Sequence, residues 1–174
     1  MPDAVVVPGR MFGPAAPLLM FAGDVAQERG ATVHRHWWTA EPRIDEPDWV
    51  RGELVPVLDG LPGRPLLIGK SLGTRAAGLA AERELPAVWL TPLLTEPAVA
   101  AALGRTTAPF LLVGGTADPA WDSDLAARLT PHVLQVDEAD HGMYVPGPLT
   151  ASVDVLARVV VAVELFLTEI AWPQ

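Results

Sequence analysis

Ser71, Asp118 and His141 are the residues whose types and order suit covalent chemistry. A serine hydroxyl is a poor nucleophile until a base takes its proton, and the base must itself be oriented by an acid. Ser71 stands in Gly69-Lys70-Ser71-Leu72-Gly73, between the apolar run Leu66-Leu67-Ile68 and an Ala-rich stretch that opens at Thr74. A strand, a sharp turn and a helix in that order expose a serine at the end of a sheet. Gly69 and Gly73 carry no Cβ, which lets strand and helix close around a strained serine. On these five residues alone, a plain strand-to-helix turn with a surface serine is an equal reading.

Two later loops change the balance. Asp118 follows Gly114-Gly115-Thr116-Ala117 and precedes Pro119, just past the apolar run Phe110–Val113. By itself it reads as a turn aspartate or a helix N-cap, and Asp122 is a rival acid. His141 lies in Asp137-Glu138-Ala139-Asp140-His141-Gly142-Met143, past the run His132–Val136. By itself it reads as a solvated loop histidine. Asp137 and Asp140 are alternative acids, but they sit too near His141 to orient it from another loop. Ser71, Asp118 and His141 each follow a different strand, in an order that suits a serine, its orienting acid and its base. Together they outweigh the structural readings. His34 and His36 share a strand face but have no third ligand at that spacing, so no metal is expected. His132 falls at the wrong end of its strand.

A tetrahedral intermediate also needs two N–H donors. The backbone of Leu72 is one. The other comes from Pro8-Gly9-Arg10-Met11-Phe12-Gly13, with the amide of Arg10, or of Met11, as the candidate.

The elements that must position these groups alternate along the chain. Ala4–Val7, Thr32–Trp38, Leu66–Ile68, Ala87–Leu90, Phe110–Val113 and His132–Val136 read as strands. Leu18–Glu28, Glu46–Leu58 (interrupted or bent at Pro56), Thr74–Leu85, Thr95–Leu103, Ala120–Leu129 and Thr150–Ile170 read as helices. Strict alternation implies an α/β fold: a three-layer α/β/α sandwich on about six mostly parallel strands. The apolar last helix is expected to pack over the sheet; a second apolar face leaves a homodimer possible.

A length of 174 residues suits a single domain over 1–174. There is no cysteine, which excludes disulfides, thiolate zinc sites and cysteine nucleophiles. The net charge of −9 argues against nucleic acid as a partner. No basic segment leads an apolar one at the start, and the last helix carries internal charges, so a cytoplasmic chain without a membrane span is expected. Gly69-Lys70-Ser71 matches the end of a phosphate-binding loop, but Arg64 stands where that loop needs glycine, and no dinucleotide fingerprint follows any strand. No cofactor is expected. Lys70 and Arg75 read as solvated surface charge around the turn.

Taken together, the Val-rich first strand with Pro8-Gly9, Gly69-Lys70-Ser71-Leu72-Gly73, Gly115-Thr116-Ala117-Asp118-Pro119 and Asp140-His141-Gly142 resemble the α/β-hydrolase superfamily. The resemblance covers nearly the whole chain and is to the small serine hydrolases without a lid. It implies a Ser71–His141–Asp118 triad, an oxyanion hole at Leu72 and Arg10, and strand order 2-1-3-4-5-6. Two departures are Pro8-Gly9 where many members have His-Gly, and the missing first hairpin. No cap fits the length, so a shallow site is expected, with Met11, Phe12, Leu94, Met143 and Tyr144 as pocket walls. The implied activity is cleavage of a small ester or thioester, by an acyl-enzyme on Ser71. Acyl transfer, lyase chemistry and a non-catalytic binding domain are the alternatives.

Overall fold

Side chains alternate across a strand, and here that alternation divides the core into two layers. Ala4, Val6, Ile68, Leu90 and Val113 face one way, while Val5, Val7, Leu67, Trp89 and Leu112 face the other, all buried. The computed structural model describes residues 1–173. Its elements are β1 (Asp3–Val7), α1 (Pro17–Glu28), β2 (Thr32–Arg35), α2 (Trp49–Asp59), β3 (Leu66–Lys70), a 3₁₀ segment (Ser71–Ala76), α3 (Ala77–Arg83), β4 (Ala87–Leu90), α4 (Pro97–Arg105), β5 (Phe110–Gly115), α5 (Ser123–Leu129), β6 (Val133–Val136) and α6 (Leu149–Glu169). The sheet runs β2-β1-β3-β4-β5-β6 and every neighbouring pair is parallel. Helices α1 and α6 cover one face, and α2 to α5 cover the other. Each fully buried Leu or Val contributes about 1.5–3 kcal/mol to holding these layers together.

The sheet reverses its winding between β1 and β3. The loops after these strands therefore part to opposite faces and leave a crevice at their carboxyl ends. The loop after β1 and the turn at Ser71 border that crevice.

Several boundaries differ from the expected ones for physical reasons. β2 ends at Arg35, not Trp38. His36 N–H still reaches Val6 O at 3.0 Å, and the chain then swings away from the sheet. α2 continues through Pro56 because both Pro56 and Gly52, whose carbonyl loses its partner, are exposed to water. The segment after Ser71 is 3₁₀ through Ala76 before it becomes α-helical. α4 starts at Pro97, whose ring presets the first helical residue. β5 runs through Gly114 and Gly115 instead of stopping at them. α5 starts at Ser123, after its N-cap Asp122, whose Oδ1 accepts from Leu125 N–H at 2.8 Å.

The last helix buries Val155, Val159, Val163, Phe166 and Leu167 and leaves Val161 and Leu165 exposed. Among the described residues, no helix is long and apolar enough to cross a membrane.

Candidate active site

The turn after β3 holds its first residue in a strained conformation. Ser71 has φ +50°, a left-handed conformation that costs an ordinary residue of order 1–3 kcal/mol. Its surroundings enforce it. A Cβ on Gly73 would stand 2.6 Å from Val7 O and 2.9 Å from Pro8 O, so the first turn after Ser71 presses directly on the end of β1. The Thr74 hydroxyl donates to Ser71 O at 2.7 Å and accepts from Leu93 N–H at 3.2 Å, which ties the turn to the loop after β4.

The loop after β5 holds Asp118. Asp118 N–H donates to Gly115 O at 3.1 Å, and Trp121 N–H to Asp118 O at 3.0 Å. This turn drives the carboxylate inward until its side chain has no solvent exposure. A buried carboxylate needs partners for its lone pairs. Oδ1 accepts from Ala120 N–H at 2.8 Å, and Oδ2 accepts from His141 Nδ1–H at 2.8 Å. Asp118 thus shapes its own turn and orients the histidine.

The loop after β6 delivers His141. Asp140 Oδ1 accepts from Gly142 N–H at 2.8 Å and from Tyr144 N–H at 2.9 Å, folding the loop back on itself. With Nδ1 donating to Asp118, Nε2 keeps its lone pair. It accepts from the Ser71 hydroxyl at 2.8 Å. The structure brings Ser71, His141 and Asp118 into one hydrogen-bonded line. Asp122 and Asp140 serve their own loops instead.

The loop after β1 closes the other side. Gly9 N–H donates to Phe12 O at 3.0 Å, making a tight turn over Arg10 and Met11. Gly9 packs on the Ser71 turn: a Cβ on it would meet Ser71 Cβ at 3.6 Å. The Trp38 indole donates to Gly9 O at 2.9 Å and anchors the turn from the far side. Arg10 N–H is engaged by no backbone carbonyl among the described residues. Leu72 N–H belongs to the first turn of the 3₁₀ segment, where such groups lack an intrahelical acceptor.

Of the five expected pocket walls, Phe12, Met143 and Tyr144 line a cavity of about 260 Å³ beside the His141 loop, completed chiefly by Leu18, Leu149 and Val153. Met11 and Leu94 lie outside it. Met11 is 90% exposed at the tip of its turn. Leu94 is buried with the α2–α5 layer, on the opposite face of the sheet, and its N–H bonds to Ala120 O at 3.0 Å.

Of the two charges read as solvated surface residues, Lys70 is fully buried and Arg75 is half-buried. Lys70, the only lysine in the sequence, is 0% exposed. Its ammonium donates to Thr91 Oγ1 at 3.0 Å and to His141 O at 3.1 Å, and lies 4.5 Å from the Phe12 ring centroid. Burial pushes it down to about 8, against the opposing pull of the Asp118 and Asp140 carboxylates. The strand alternation Leu66, Ile68, Lys70 was the signal: it turns Lys70 to the same face as two buried side chains. Arg75 grips Glu96 through two hydrogen bonds of 2.9 Å and reaches Ile44 O at 2.7 Å.

The remaining histidines lie elsewhere. His34 Nε2 pairs with Asp3 at 2.7 Å, His36 lies 3.4 Å from Glu53, and His132 lies 3.4 Å from Glu169. Among the described residues, no cluster of three or more His, Asp or Glu side chains is gathered to hold a metal.

No family model matches the chain, and no curated protein matches it in sequence. Solved structures do. Est1E from Butyrivibrio proteoclasticus, with ferulic acid bound, superposes with a TM-score of 0.72 at 14% identity, over 97% of this chain and 89% of its own. An α/β serine hydrolase without a lid from Xanthomonas campestris gives 0.72 at 17% identity, over 96% and 81%. A putative α/β-superfamily hydrolase from Xanthomonas campestris pv. campestris gives 0.65 at 21% identity, over 97% and 99%. In this chain Thr91–Glu96 alone joins β4 to α4, so no cap interrupts the sheet there. The sheet order and these superpositions together show that the chain has the α/β fold of these hydrolases.

Proposed function

We propose that this protein is a serine hydrolase that cleaves an uncharged ester or thioester through an acyl-enzyme on Ser71. The observation that carries the reading is the line of hydrogen bonds from Asp118 Oδ2 through the His141 ring to Ser71 Oγ, each 2.8 Å. Ser71 Oγ attacks the substrate carbonyl carbon while its proton moves to His141 Nε2, and the carbonyl electron pair shifts onto oxygen. The N–H groups of Leu72 and Arg10 receive that oxyanion. Collapse breaks the bond to the leaving group, which takes the proton from Nε2. Water then repeats the sequence on the acyl-enzyme, releasing the acid and restoring Ser71. Asp118 remains ionised and holds the imidazolium in place.

The cavity gives the substrate its class. Its lining is almost entirely apolar, and an apolar cavity of ~150 Å³ already holds a benzene ring. About 260 Å³ suits one ring or a medium alkyl chain, and the lining offers a charged group few polar partners. Est1E, the neighbour with ferulic acid bound, holds an aromatic acid, which agrees with a ring-sized group. The His141 side chain is 37% exposed, so water can reach the base.

A fluorophosphonate probe tests the reading. Stoichiometric label on Ser71, lost in Ser71→Ala and His141→Ala, is the expected result. Folded protein that takes up no label would overturn it.

A further inference from the structure

We infer that Lys70 is a positioning residue for the Ser71–His141 pair: its ammonium clamps the base loop and the Phe12 turn onto the end of β4. The inference rests on the serine-hydrolase reading and extends it to a residue outside the triad. The chain has a single lysine, and it stands next to the nucleophile with no exposure. Its three contacts come from three loops: Thr91 after β4, His141 O after β6, and the Phe12 ring after β1. Among the described residues no carboxylate lies within ion-pair distance of it. A buried cation without a paired anion weakens a fold, and an apolar side chain of similar size would serve packing better. The charge is therefore placed for what it holds.

What it holds is the backbone of the base. His141 is fixed at its ring by Asp118 and at its carbonyl by Lys70. Two fixed points restrict the rotation that would move Nε2 away from Ser71 Oγ. The same ammonium lies 4.5 Å from the centroid of the ring that both walls the cavity and closes the Gly9–Phe12 turn. The titratable groups around the ammonium are Asp118 from the β5–α5 loop, and Asp140 and His141 from the β6–α6 loop. Phe12 and Thr91, from the other two loops, are neutral. Loss of the Lys70 proton leaves an amine, which donates more weakly to His141 O and has no cation–π attraction to Phe12. The clamp loosens as pH rises through about 8, where burial has moved this group.

The single lysine makes the test direct. Protein carrying ε-¹³C lysine gives one lysine resonance, whose titration is compared with the pH profile of Ser71 inactivation by the fluorophosphonate probe. The expected result is an alkaline fall in inactivation rate at the same midpoint as the lysine titration. Lys70→Met should lose that alkaline limb, react ~10–100-fold more slowly at pH 7 and unfold at the same temperature as the wild type or above it. With p-nitrophenyl butyrate the loss should fall on kcat, with KM little changed. Absence of label in the folded wild type overturns the serine-nucleophile reading and this inference with it. Label at equal rates in wild type and Lys70→Met overturns this inference alone. So does a Met variant whose slower rate is accounted for by its unfolded fraction.

Discussion

Gly115 lies against the backbone of Ala139 so closely that a methyl group on its α-carbon would overlap the Ala139 carbonyl oxygen. Ala117 N–H donates to that same carbonyl at 3.1 Å. The loop carrying Asp118 thus rests directly on the loop carrying His141. Gly115→Ala must force the two apart, and their hydrogen bond has little slack. The expected result is a fall in kcat of ~10²-fold or more, from misplacement alone, with a stability loss of about 1–3 kcal/mol from overpacking. Steady-state kinetics and urea unfolding measure the two. Wild-type kcat in this variant would show that the loops are not coupled.

The positive φ at Ser71 gives a second expectation. Alanine at 71 keeps a Cβ in the strained conformation, while glycine has none to strain. Both variants should be inactive. Ser71→Gly should be the more stable of the two by about 1 kcal/mol in urea unfolding. Equal stabilities, or the reverse order, would mean the turn stores no strain at the serine.

Lys70 links stability to pH with a definite sign. In the unfolded chain the group titrates near 10.5, and in the fold near 8. Below about pH 8 both forms are protonated and burial of the ammonium counts fully against the fold. Between about 8 and 10.5 the fold releases a proton that the unfolded chain keeps, so stability climbs with pH, by about 3 kcal/mol over the interval. Lys70→Met should lack this slope. The comparison is read from urea midpoints at pH 7, 8, 9 and 10; parallel curves for the two proteins would contradict it.

The cavity can be closed without touching the reacting groups. Val153 lines it from α6, is 55% exposed, and can change size without straining the core. Val153→Trp should raise KM for an octanoyl or phenylacyl ester about tenfold and leave an acetyl ester unaffected, since the lost volume serves only the larger group. Equal effects on both esters would place the substrate elsewhere.

Much of the architecture was legible because a parallel sheet announces itself by short apolar runs separated by helical segments. The same runs located the loops of Ser71, Asp118 and His141, since each loop begins where a run stops. What escaped was environment. Lys70 reads as charge, and charge reads as surface; the groups that accept its protons, His141 O and Thr91 Oγ1, lie far along the chain and meet it only after folding. Arg75 escaped for the same reason, its partner Glu96 lying on the next loop. Leu94 looked like a pocket wall because its loop was rightly placed, but the face of the sheet it packs on is decided by the backbone path after β4. Pro56 looked like a helix break because sequence does not show that the carbonyl it orphans is wet.

The bond from the Trp38 indole to Gly9 O has an optical consequence. Indole emission responds to hydrogen bonding and polarity, so the turn that borders the crevice is wired to a built-in fluorophore. A ligand that displaces Gly9 by a fraction of an ångström alters the light from Trp38, and Trp38→Phe supplies the blank against the other five tryptophans. Occupancy of the crevice can then be followed in real time on unlabelled protein, before any substrate has been identified.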